Sequence, residues 1–136
     1  MRPIAALIFA VFLSACATGG GNRDYTPATA PRSVWIVGGS GQAIGQATFT
    51  DGPHGVLIRL EFSAGALPPG WHGLHIHQRG DCSDFAGGFQ ASGAHAQMEH
   101  HGAHGLLIAD GPEAGDLPNI FATPAGPFAA EVFTPY

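Results

Sequence analysis

The chain of 136 residues contains no lysine, and its five basic residues, Arg2, Arg23, Arg32, Arg59 and Arg79, are scattered rather than grouped. Charged residues make up only 11% of the sequence, and the formal net charge is −5. So few cations cannot assemble a basic patch, which argues against nucleic acid as a partner. No apolar stretch near the N-terminus is long enough for a bilayer span either, because the run from Ile4 to Leu13 is too short for a mature transmembrane helix. Helix signals are sparse, since glycine and proline number 21 and 11, a composition that favours turns. What is present suffices for one packed domain: hydrophobic residues reach 45%.

The first residues read as a targeting segment. Arg2 supplies a positive charge, the apolar run follows, and it closes on Leu13-Ser14-Ala15-Cys16. That tetrad resembles the bacterial lipobox, in which the cysteine is lipidated and becomes the new N-terminus. Residues 1–15 are therefore expected to be a lipoprotein signal peptide, with Cys16 as the lipidation site and residues 16–31 as a flexible tether rich in Gly, Pro and Thr. The expected location is the bacterial periplasm or cell envelope, with membrane contact through the lipid. Once Cys16 is so used, Cys82 is left as an odd cysteine in an oxidising compartment.

The remaining chain, 32–136, alternates short apolar stretches with turn punctuation. Strands are expected over Ser33 to Val37, Ile44 to Thr50, Val56 to Phe62, Trp71 to His77, Ile120 to Ala122 and Phe128 to Phe133. Asp51-Gly52-Pro53 and the Pro68-Pro69 pair mark turns between them. Such a pattern predicts an all-β antiparallel sandwich or barrel. About forty residues between His77 and Leu117 lack a strand or helix pattern, and a loop that long is either functional or disordered.

That loop and the strand before it carry the chemistry. Seven of the eight histidines fall between His72 and His104, the exception being His54. His75-Ile76-His77 places two imidazoles on one face of a strand, as joint ligation of a metal requires. Histidine is the commonest ligand for copper and zinc. Further donors lie nearby: His95, His100, His101, His104, Asp81, Asp84, Glu113 and Asp116. A metal would also explain how so long a loop becomes ordered. His54 and His72 read as structural or exposed.

The ordered series Gly70-Trp71-His72-Gly73-Leu74-His75-Ile76-His77, Gly80-Asp81-Cys82-Ser83, Gly93-Ala94-His95, His104-Gly105 and Ala114-Gly115-Asp116-Leu117-Pro118-Asn119 resembles the copper/zinc superoxide dismutases, the bacterial secreted branch above all. The resemblance implies a Greek-key β-sandwich with a long metal-binding loop. It implies copper held by His75, His77 and His95, with His95 shared with zinc, since one imidazole has two ring nitrogens. Zinc would be held by His95, His104 and Asp116. It also implies that Cys82 is one half of an intrachain disulfide. The implied reaction is dismutation of superoxide to oxygen and hydrogen peroxide by one-electron cycling at copper, with catalysis resting on His75, His77 and His95. Zinc is redox-silent, and its role is to fix the bridge and order the loop.

The chain departs from that pattern in several places: the His95 to His104 spacing is one residue longer than the family's, and Ala96-Gln97 stand where the family has an aromatic residue and an asparagine. The family's fourth copper histidine, the partner of Cys82 and the arginine that draws in superoxide belong to a later segment, so the domain reads as C-terminally shortened, with six of about eight strands. Glu113 occupies the usual position of a third zinc histidine, which makes Glu113, His100 and His101 further zinc candidates. Two functions therefore stay open: a superoxide dismutase with full or impaired catalysis, and a non-enzymatic periplasmic lipoprotein that binds copper or zinc. A homodimer is a candidate assembly.

Overall fold

A computed structural model describes residues 30–97 and 102–135. Cys16, His100 and His101, with the expected signal peptide and most of the tether, lie outside the described residues.

Six strands form: β1 (Arg32–Val37), β2 (Ala43–Gly52), β3 (Gly55–Phe62), β4 (Gly70–His75), β5 (Asp116–Ala122) and β6 (Phe128–Thr134). All pairings are antiparallel. One sheet has the order β1-β2-β3-β6, and a second pairs β4 with β5. The chain crosses to the second sheet after β3 and returns after β5. No helix among the described residues is long and apolar enough to cross a membrane.

Period-two alternation builds the core. Ile58, Leu60 and Phe62 of β3 point inward and are buried, while Arg59 and Glu61 point out. Ala47, Leu117, Ile120 and Val132 complete the cluster, with Phe49, Leu74 and Ile76 packed against it. Phe62 and Phe128 are cross-strand partners whose rings stack at 4.8 Å. On the solvent face Arg59 spans to Glu131 at 3.0 Å and to Glu61 at 3.4 Å.

Two strands differ from the sequence expectation, both near the loop. β5 begins at Asp116, four residues earlier than Ile120. Pro118 and Asn119 look like a break in the sequence, but here the register shifts so that the two residues oppose Gly73 alone. A bulge of that kind tolerates a proline that cannot donate a ladder hydrogen bond. β4 ends at His75 and not at His77. Beyond it the chain bends and exchanges partners, pairing with the loop: Gln78 N–H donates to Ala94 C=O at 2.9 Å and Arg79 N–H to Ser92 C=O at 3.0 Å. Elsewhere the described residues of the loop hold only two short 3-10 turns, Phe85–Gly87 and Gln90–Ser92.

Candidate metal centre

Three backbones meet at one point and place most of the histidine and carboxylate donors around it. Ile76 N–H donates to Gly115 C=O at 2.8 Å, Ala96 N–H to Ile76 C=O at 2.8 Å, and Gly115 N–H to Ala96 C=O at 2.9 Å. Each member of this triangle adjoins a candidate ligand: His75 and His77 flank Ile76, His95 precedes Ala96, and Asp116 follows Gly115. Only glycine fits at position 115, because a Cβ there would collide with the Ile76 carbonyl oxygen and the Ala96 amide nitrogen. In β4 and β5, His75 and Asp116 are direct cross-strand partners.

The resulting cluster contains His75, His95, His104 and Asp116, each with one ligand atom within 4.8 Å of the others. Glu113 belongs with them by distance. His95 Nδ1 lies 2.7 Å from Glu113 Oε2 and 3.8 Å from Asp116 Oδ1. His104 Nδ1 lies 2.7 Å from Asp116 Oδ1 and 3.4 Å from Glu113 Oε2. At the two short separations each imidazole N–H donates to the carboxylate that faces it. The four atoms thus lie close together, with nitrogen–oxygen separations that run from 2.7 to 3.8 Å. Donors about 2.0–2.1 Å from a central ion would stand about 3.3 Å apart in a regular tetrahedron, so the set fits a small divalent cation such as zinc.

Both carboxylates are held from behind. Asp116 Oδ2 accepts the amide N–H groups of Gly105 at 2.8 Å and Glu113 at 3.0 Å, leaving Oδ1 for the imidazoles. Its side chain is only 2% exposed, whereas that of His104 is 57% exposed, so the site opens on the His104 side. Burial pushes the Asp116 carboxyl up, but the Gly105 and Glu113 amides and His104 outweigh it and hold the group below the usual carboxylate value. Burial, reinforced by His95 and His104, pushes the His75 imidazole below its ordinary value, which keeps a nitrogen lone pair available.

His95 stands at the centre of the histidines. The His75 ring stacks on it at 4.3 Å with 12° between planes, and the His77 ring meets it edge-on at 5.2 Å. Lone pairs lie in the ring plane, so ligation of one ion by both His75 and His95 requires one ring to rotate. His77 lies outside the tight cluster, although an isolated bridge joins it to His95. Its Nδ1–H donates to Gly93 C=O at 2.8 Å, with Ser92 Oγ at 3.0 Å. That contact assigns the proton to Nδ1 and leaves Nε2 as the donor atom, the usual outer-shell arrangement for a ligating histidine.

The other sequence candidates have different partners. Asp81 Oδ1 accepts from Ser83 N–H and Oγ–H, and Asp84 Oδ2 from Ala91 N–H, so both shape the loop and neither joins the cluster. His72 Nε2 bonds Pro68 C=O at 2.7 Å. Cys82 is exposed and free, lining an open groove with His75, His77, Arg79 and Phe89. Sequence reasoning missed Ser92, which is buried beside His77, and Gln97, whose Nε2–H donates to Glu113 Oε1. No motif marks Ser92. Gln97 stands where the family pattern has another residue, and that substitution was its only signal.

Comparison with known proteins agrees with this geometry. The family model described as copper/zinc superoxide dismutase matches residues 43–136. The superoxide dismutase [Cu-Zn] of Caulobacter vibrioides is 43% identical over 100 residues, covering 74% of this chain and 55% of that protein. Superoxide dismutase [Cu-Zn] 2 of Aquifex aeolicus is 35% identical over 102 residues, covering 74% and 57%. The chain thus spans about half the length of these curated relatives. Among solved structures, a SOD-like protein from Bacillus subtilis superposes with a TM-score of 0.67 at 25% identity, covering 76% of this chain and 66% of that one. The Cu/Zn superoxide dismutase from Brucella abortus shares the fold, with a TM-score of 0.60 at 23% identity over 78% of this chain and 73% of its own.

Proposed function

The chain belongs to the copper/zinc superoxide dismutase family, which implies copper and zinc as its metals, and we propose from that premise that it dismutates superoxide to oxygen and hydrogen peroxide. The observation that carries the reading is the position of His95, with its Nδ1 at 2.7 Å from Glu113 and the His75 and His77 rings packed on it. Copper would be held by His75, His77 and His95, and zinc by His95, His104 and Asp116 with Glu113. When bound, copper supplies the one-electron chemistry. His95 offers Nδ1 on the carboxylate side and keeps Nε2 for the histidine side, where it can also take up and release a proton. His77 has its Nδ1 proton fixed on Gly93, so its Nε2 stays free to ligate. Arg79, the one arginine among the described residues that lines the same groove, brings positive charge to an anionic substrate.

In the cell the proposal is an exported protein: residues 1–15 as a lipoprotein signal peptide, 16–31 as a tether anchored through Cys16, and 32–136 as the dismutase-like domain in the periplasm. Metabolic labelling with a fatty acid tests the anchor, which the Cys16→Ser variant should lose. Homodimers, if the domain forms them, should appear in sedimentation.

The near-parallel stacking of His75 on His95 favours a second reading, a metal-binding lipoprotein without turnover. Electron paramagnetic resonance of the copper-loaded chain, read beside superoxide consumption, separates the two. Nitrogen couplings that weaken in His77→Ala, together with consumption well above that of free copper, are expected for the enzyme. Nitrogen couplings with no excess consumption select the binding protein, and oxygen-only ligation contradicts both.

A further inference from the structure

Glu113 stands out because it is anchored by a side chain and not by the backbone. Asp116 is held by two amides. Glu113 Oε1 instead accepts from Gln97 Nε2, which turns Oε2 alone toward the two imidazoles. Gln97 is half-buried, and its own Oε1 is buried with no partner among the described residues. Burying an amide oxygen unsatisfied is costly, so the arrangement calls for a compensating role at that place.

We infer that Gln97 and Glu113 together set the metal preference of the site formed by His95, His104, Glu113 and Asp116: Gln97 holds Glu113 to a single ligating oxygen, which makes, among the described residues, a site of two imidazoles and two carboxylates. This rests on the metal-centre reading above and deepens it. Three consequences follow from the donor set. Two carboxylates balance the charge of a divalent ion when both histidines are neutral. Two oxygen donors make the site harder than an imidazole-richer one, so it discriminates less strongly between zinc and ions such as cobalt(II) or manganese(II). A carboxylate restrained to one oxygen keeps the coordination number at four, since a free one could bind through both.

Cobalt(II) serves as the probe, because its visible absorption is intense in four-coordinate sites and weak in five- or six-coordinate ones. The full chain is titrated with cobalt(II) and zinc(II) against a chromophoric chelator, with no copper and no activity readout. The wild-type chain should give one intense cobalt(II) spectrum. Gln97→Leu should weaken zinc binding by about 10- to 100-fold, the scale for groups that orient ligands, and should lower the cobalt(II) intensity. Gln97→Glu should not restore either, since it cannot donate to a carboxylate when ionised. Glu113→His should keep an intense spectrum but with bands shifted to higher energy and a higher ratio of zinc to manganese(II) affinity. Metal-free unfolding curves accompany each variant, so that a folding failure in Gln97→Leu leaves Glu113→His to decide. Wild-type spectra unchanged in Gln97→Leu or in Glu113→His would overturn the inference and leave the metal centre standing. No cobalt(II) or zinc(II) binding by the wild-type chain would sink the metal centre itself.

Discussion

At the scale of the residue, Asp116 does two separable jobs. One oxygen holds the Gly105 and Glu113 amides and the other faces His104. Asp116→Ala strands both part-buried amides and is expected to cost about 1–3 kcal/mol in urea unfolding of the metal-free chain. Asp116→Asn can keep one oxygen on the amides, so it should lose under half of that while zinc affinity still collapses. Equal losses of stability in the two variants would contradict the division. Acid acts on the same residues. Asp116 and His75 both bind protons less readily when folded than when unfolded. Acidification therefore favours the unfolded chain, so stability should begin to drop as pH falls below about 6.5 and again below about 3.9, each loss completing only at the lower folded value. A urea midpoint of the metal-free chain that stays level from about pH 8 to about pH 5 would refute the first step.

Among the elements, β4, β5 and the loop are tied by the backbone triangle of Ile76, Ala96 and Gly115. Gly115→Ala forces a Cβ into it and is expected to destabilise the chain by about 1–3 kcal/mol, as overpacking does. It should also weaken zinc binding, because His95 and Asp116 move apart. Gly39→Ala is the control: a Cβ there meets nothing within 4 Å, so calorimetry should find it within about 0.5 kcal/mol of wild type. The six strands were legible in the sequence because each alternates between turn residues, as Val56 to Phe62 does between Gly55 and Ser63. The start of β5 was not, because Pro118-Asn119 reads as a break and only the bulge opposite Gly73 absorbs it. That His75, His95, His104 and Asp116 come together was legible in the motifs the sequence shares with the family. The support from Ser92 and Gln97 was not, since it depends on a tertiary hydrogen bond between positions far apart in the chain.

For the whole molecule, the buried core is modest: Leu60, Ile58, Phe62, Val132 and a few neighbours. Leu60→Ala should cost about 2–5 kcal/mol. Beside that core, a metal that binds only the folded chain is a substantial stabiliser, worth about 2.7 kcal/mol at a free concentration one hundred times its dissociation constant. The melting temperature should therefore rise with added zinc and fall with a chelator, and a melting temperature independent of zinc would show that the loop is not ordered by metal. β1 also leaves an outer edge with no strand partner among the described residues, with Val34 and Trp35 of that strand well exposed. Edges of this kind invite pairing with a second copy.

The most direct test of the metal centre as a working site is superoxide dismutation per bound copper, measured on the chain reconstituted with copper and zinc beside its His75→Ala variant. The expected result is turnover well above that of free copper, abolished by the substitution. Equal rates for the two proteins, or a rate no higher than that of free copper, would contradict it.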